Sequence, residues 1–261
     1  MEKDNSSGKP LASNQWLEIH HRAKLPERTA FAKKLSLLKP HNIVDLGCAS
    51  GLWLDLLDKF MPEECEFIGI DSDCESLEMA KNKSKLWNRK SKFLQLDLEK
   101  SVKHIPPSDL TLAFNIFPYI KNLGQFISVL SSRIPRGVLA VRQYDGASIR
   151  FGPMETAKRQ QIENDLRTCV ENSKKFHHYD LDRTFTVINM SSYKIQECEF
   201  ELFARTSPFK DDFIPYYKEM LEWTCQNISD VSENYLRRWI TEISNETYRY
   251  FYEVDLVALL S

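Results

Sequence analysis

Val44-Asp45-Leu46-Gly47-Cys48-Ala49-Ser50-Gly51 is the stretch that decides the fold. It joins a short β-branched run, Ile43 to Leu46, to an amphipathic segment, Leu52 to Met61, that places Trp53, Leu56, Leu57 and Phe60 on one side. That is a strand-to-helix junction. Glycines there let the backbone approach a ligand closely, and the start of the following helix offers free N–H donors. A dinucleotide site would need Gly-x-Gly-x-x-Gly to meet a pyrophosphate. Here only Gly47 and Gly51 are present, with Ala49 at the middle position. An acid directly before the first glycine is poor company for a phosphate and good company for an ammonium group.

Working outward, the same rhythm repeats. Phe67 to Ile70 reads as a second strand ending at Asp71, followed by a helix from Cys74 to about Trp87. Phe93 to Leu96 is a third strand ending at Asp97, and Asp109 to Asn115 a fourth. A helix carrying Leu123, Phe126, Ile127, Leu130 and Ile134 then leads to a fifth strand, Val138 to Gln143. Apolar strands alternating with helices imply a parallel sheet covered on both faces. Right-handed crossovers put every strand's C-terminal end on one edge, where ligands bind. Asp45 to Gly51, Asp71, Asp97, Asn115 to Tyr119 and Arg142 to Asp145 line that edge.

The flanks are less regular. Residues 1–12 read as a disordered lead-in, 13–40 as a helical N-terminal arm, 41–145 as the core and 146–248 as a C-terminal part with cap helices over about 211–247. Residues 249–261 form a final strand returning to the sheet. Within the C-terminal part, Ile195 to Arg205 alternates as a strand, and Arg183 to Met190 fits either a short helix or a strand.

Composition narrows the classes. Of 261 residues, 35 are Lys or Arg and 37 Asp or Glu, a formal net charge of −2 that argues against a nucleic-acid partner. No apolar window is long enough to span a membrane. The N-terminus lacks the apolar stretch of a secretory signal. Six scattered cysteines without a Cys-x-x-Cys pair speak against zinc and against disulfides, so the cytoplasm is the expected compartment.

The loop with its preceding acid resembles motif I of the class I S-adenosylmethionine-dependent methyltransferases, and the ordered similarity runs over about residues 40–145. The resemblance implies a Rossmann-like, doubly wound α/β fold with a mostly parallel seven-stranded sheet, a helical arm and a helical cap. It implies S-adenosylmethionine as cofactor, held by Asp45, Gly47, Cys48, Ala49 and Gly51. Asp71, with Ser72, would take the ribose hydroxyls, Asp97 and Leu98 the adenine, and Asn115 would stand beside the sulfonium. The alternative for Asp71 and Asp97 is helix N-capping.

Catalytic candidates lie on the same edge. Asn115-Ile116-Phe117-Pro118-Tyr119 invites comparison with the Asn-Pro-Pro-Tyr box of amine methyltransferases, but it has one residue too many. Asn115 and Tyr119 either position the acceptor or belong to a loop that packs. Arg142 either grips an acceptor carboxylate in a fork or staples the turn with Asp145, which is otherwise placed to orient or deprotonate the nucleophile. Of His20 and His21 in the arm, His21 is the candidate base. His177 and His178 point apart and read as surface loop rather than metal site. Near-neutral charge and an aromatic-rich cap suit a small-molecule acceptor. RNA or protein methylation and a non-catalytic binding role are the rival readings, and nicotinamide chemistry comes last.

Overall fold

The computed structural model describes residues 12–172, 181–242 and 248–261. The expected disordered lead-in and the His177–His178 pair therefore lie outside the described residues, apart from Ala12. Two helices open the chain, α1 (Asn14–Ala23) and α2 (Leu25–Ser36). Ser13 caps α1 by accepting from the Trp16 N–H at 3.2 Å, and Lys24 separates the two helices. Pro26 then supplies the preset φ of a first turn.

The central sheet is built from β1 (Asn42–Leu46), β2 (Glu66–Asp71), β3 (Ser91–Gln95), β4 (Leu110–Phe114) and β5 (Val138–Tyr144), all parallel, in the order β3-β2-β1-β4-β5. Between them lie α3 (Leu52–Leu57), α4 (Cys74–Ser84), the single turn α5 (Leu98–Ser101) and α6 (Leu123–Arg133). After β5 come β6 (Arg150–Gly152), α7 (Thr156–Asn172), α8 (Leu181–Met190), β7 (Ile195–Thr206), α9 (Ile214–Cys225), α10 (Asp230–Glu242) and β8 (Tyr250–Leu260). β8 runs antiparallel to β5, β6 and β7. It pairs β5 through 255–260 and β6 through 250–252, with β7 along its whole other side.

The sheet thus has eight strands rather than the expected seven, because β6 is a three-residue segment too short to carry a period-two signal. The ambiguous 183–190 segment is helical: Leu181 and Ile188 bury together against α6, a spacing no strand could use.

Strands buried on two faces explain the continuous apolar runs. Val44, Leu46, Ile70, Val141 and Leu256 meet Phe126, Ile127 and Leu130 of α6 on one face. Ile43, Phe67, Leu112, Ala140 and Val257 meet Phe31 and Leu35 of α2 and Leu54 of α3 on the other. A third cluster around Phe203, Phe251, Phe213, Tyr217 and Trp239 joins the cap helices to the antiparallel strands. No described helix is long and apolar enough to cross a membrane.

Candidate functional site

The C-terminal ends of the parallel strands open into a cavity of about 270 Å³. Its floor is the β1–α3 loop. Gly47 takes φ +69°, and a Cβ there would lie 2.6 Å from Cγ2 of Ile116, so only glycine fits. The N–H groups of Gly47 and Cys48 both donate to the Ile70 carbonyl, at 2.8 and 2.9 Å, which pins the loop against β2. Ala49 holds a left-handed φ of 45° where a glycine would be unstrained, and its N–H donates to Asp71 Oδ2 at 2.8 Å. The other Asp71 oxygen accepts from the Asp73 N–H at 2.9 Å. Asp73, not Asp71, caps α4, whereas Asp97 does cap α5 while also lining the cavity.

The carboxylates define the electrostatics of this half. Asp45 is 3% exposed and lines the cavity, and among the described residues no cation or hydrogen-bond donor pairs with it. Burial, and then the Asp71 charge, hold its carboxyl well above the usual carboxylate range. Burial also raises Asp71, against the pull of the backbone N–H groups of Asp73 and Ala49. Both are acids placed where a cation would relieve them.

The roof is made by α1, α2 and α9. Trp16, His20, Arg28, Tyr216, Met220 and Trp223 face the cavity from these helices. His20 stacks on Tyr216 at 5.1 Å with the rings 4° apart, and burial, then Lys24 and Arg28, keep its imidazole neutral by pushing its pKa well below 6.5. At its far end α1 is latched to α4 by Asn14, whose Nδ2 donates to Ser76 Oγ at 3.1 Å. At its near end Lys24 is buried in ion pairs with Glu253 and Asp255 of β8. Tyr216 closes this network by donating its hydroxyl to the Glu253 carboxylate.

The structure brings Asp45, Gly47, Cys48, Ala49, Asp71, Ser72, Asp97, Leu98, Asn115 and Tyr119 together on the cavity wall. Asn115, at φ 56°, accepts from the Tyr144 N–H at 2.8 Å, so its side chain ties β4 to β5. Four other candidates stand apart from that wall. Gly51, at φ +75°, faces Ala80, where a Cβ would come within 3.2 Å; its smallness lets α3 approach α4. Arg142 is buried between Asp255, at 2.9 Å, and Glu201, so it staples β5 to β8 and β7 instead of meeting an acceptor. Asp145 accepts from the Ala147 N–H at 3.1 Å and from the Ser148 hydroxyl, closing the turn after β5. His21 is not on that wall but behind Arg28: its Nδ1 lies 2.7 Å from Arg28 Nη1, and burial with the Arg28 charge pushes its pKa down to about 3. One residue turns a helix by about 100°, so it is His20 that faces inward.

Arg28 carries no signal in the sequence, and Tyr216 only that of one residue on the apolar face of a cap helix. The sequence points to the covering elements only as a helical arm over 13–40 and cap helices over about 211–247, without saying which of their side chains face inward. No group of three metal-ligating side chains exists among the described residues.

Comparison with known proteins adds three findings. A family model described as a methyltransferase domain matches residues 38–208. The protein-lysine N-methyltransferase efm4 of Schizosaccharomyces pombe is 31% identical over 139 residues, which cover 48% of this chain and 55% of that protein. The chain therefore spans about half the length of that curated relative. Among solved structures, the YcgJ protein of Bacillus subtilis superposes with a TM-score of 0.55 at 12% identity, covering 90% of this chain and 97% of that one. StiE O-MT gives 0.51 at 13% identity, covering 91% and 74%. At such identities the likeness is one of fold.

Proposed function

The chain belongs to the methyltransferase domain family, and on that premise we propose that it transfers the methyl group of S-adenosylmethionine to an O or N atom of a small acceptor beneath α1 and α9. The observation that carries this reading is Asp45, a buried carboxylate on the cavity wall with no cation beside it among the described residues. The residues present fit the cofactor. Asp45 would meet its ammonium group; Asp71, which accepts from the Ala49 and Asp73 N–H groups, has lone pairs left that would take the ribose hydroxyls. Asp97 and Leu98 bracket the adenine, and Asn115 and Tyr119 stand beside the reacting centre.

S-adenosylmethionine supplies a methyl group already activated for attack. The chain's task is to orient: holding two reactants in line can lower a barrier by about 7–11 kcal/mol. The arm and cap exclude water from the path, and the neutral imidazole of His20 offers a hydrogen-bond acceptor to the attacking group.

Two measurements test the cofactor reading. Asp71→Ala should weaken S-adenosylhomocysteine binding by about 1–3 kcal/mol, since a charged acceptor and the Ala49 tether are lost together. Loss of turnover at unaltered calorimetric affinity would give Asp71 another role. The second concerns protons. In the free protein Asp45 titrates above the ordinary range, whereas a bound ammonium favours its carboxylate form. Binding therefore releases a proton, and affinity rises as pH climbs through the Asp45 titration. Titration heats that do not vary with the ionisation enthalpy of the buffer would remove Asp45 from this role.

A lysine side chain on a protein is the second reading, favoured by the 31% identity to the S. pombe protein. Incubating a cell extract with methyl-labelled cofactor and the enzyme separates the two: label in the small-molecule fraction supports the first, label in protein the second.

A further inference from the structure

Arg28 is 6% exposed and lines the cavity, yet it has no carboxylate within ion-pair distance among the described residues. Its Nη1 is taken by His21, its guanidinium lies over the Trp53 ring at 5.1 Å, and its Nε has no partner. The nearest acids are already engaged. Glu253 is held by Lys24 and Tyr216, and Asp255 by Lys24 and Arg142, whose other side meets Glu201. A buried guanidinium left without an anion is unfavourable unless something brings one. Burial, and then the neighbouring Arg142, pull the Arg28 pKa down to about 10, the mark of a cation short of counter-charge.

We infer that the acceptor end of the cavity takes a planar ring bearing a carboxylate, with Arg28 as the residue that selects it. The inference rests on the methyl-transfer reading and names the substrate class within it. A guanidinium presents parallel N–H donors that match a carboxylate fork. Trp16, His20, Tyr216 and Trp223 line the same end, and aromatic walls favour a flat partner. The charged groups acting on Arg28 are Arg142 of β5 and Asp255 and Glu253 of β8, the two acids that Lys24, at the end of the arm, and Tyr216, on the cap, also hold. The same end disfavours a protonated amine: the acids of the cavity wall, Asp45, Asp71, Asp73, Asp97 and Glu99, all belong to the cofactor half.

The test uses the full chain saturated with S-adenosylhomocysteine. It is titrated calorimetrically with 4-hydroxybenzoate, with the neutral 4-hydroxybenzyl alcohol and with the cationic tyramine. The acid is expected to bind about ten-fold more tightly than the alcohol, with tyramine weakest, and Arg28→Met should abolish the preference. Equal binding of acid and alcohol by the wild-type protein overturns the inference, and that comparison stands even if the variant does not fold. The cofactor carries a carboxylate of its own, so both proteins are also titrated, without added cofactor, with S-adenosylhomocysteine and with 5′-methylthioadenosine, which lacks that group. A ten-fold loss in Arg28→Met confined to S-adenosylhomocysteine would assign Arg28 to the cofactor and likewise overturn the inference. Wild-type protein that binds neither nucleoside would instead defeat the methyl-transfer reading.

Discussion

Gly47→Arg is expected to lower the affinity for S-adenosylhomocysteine at least about 100-fold, near 3 kcal/mol, while the chain stays folded. Three effects act together. A side chain at φ +69° costs roughly 1–2 kcal/mol that glycine does not. The new Cβ would stand 2.6 Å from the Cγ2 methyl of Ile116, itself part of the cavity wall, and that methyl can swing aside only by turning the whole buried β-branched side chain about χ1. The guanidinium would then enter a space of about 270 Å³ meant for the ligand. The strain should also lower the melting temperature by several degrees, at roughly 2–4 °C per kcal/mol for a chain of this size. Gly51→Ala is the control. It too meets a positive φ, but its Cβ faces Ala80 on α4, so stability should fall while affinity holds. Unchanged binding in Gly47→Arg would contradict the placement of the cofactor on this loop.

Lys24→Met should cost about 3–5 kcal/mol of folding stability, read by urea denaturation at pH 7, because removing one partner strands buried charges. Lys24 is 1% exposed, pairs with Glu253 and Asp255, and lies 4.9 Å above the Phe203 ring. Burial alone would raise the Asp255 carboxyl, but Lys24 and then Arg142 outweigh it and hold its pKa below the ordinary value. A depressed carboxylate contributes stability above its unfolded pKa and loses it as pH falls through the folded one. The variant lacks most of that contribution, so its deficit should persist down to about pH 4 and shrink only as the pH is lowered below that. A deficit below about 1 kcal/mol at pH 7 would mean that this corner is hydrated rather than dry.

What the sequence made legible was local. A β-branched run, a glycine bend and an amphipathic segment occupy the nineteen consecutive residues 43–61, so β1, the loop and α3 could be read without any long-range knowledge. Asp71 and Asp97 were visible for the same reason, as acids that end apolar runs. Arg142 shows where this fails. A polar group at a buried strand end needs a partner, but that partner is Asp255, 113 residues away, and nothing in the local pattern points to it. His21 fails differently. The two adjacent histidines are equivalent in composition, and only the rotation of α1, fixed by the burial of Lys24 and Ala23, puts one inside and the other against Arg28. Arg28 itself reads as an ordinary charge in a mixed helix until the tertiary arrangement leaves it without an acid among the described residues.

The tie between Lys24 and Asp255 spans 231 residues of chain. While the polypeptide is being made, the arm must wait with an unmatched ammonium until β8 emerges from the ribosome. The parallel core can pair beforehand from neighbouring segments, but the roof over the cavity can close only after β8 has been made. Assembly is thus ordered in time, with the parallel core preceding the covered site.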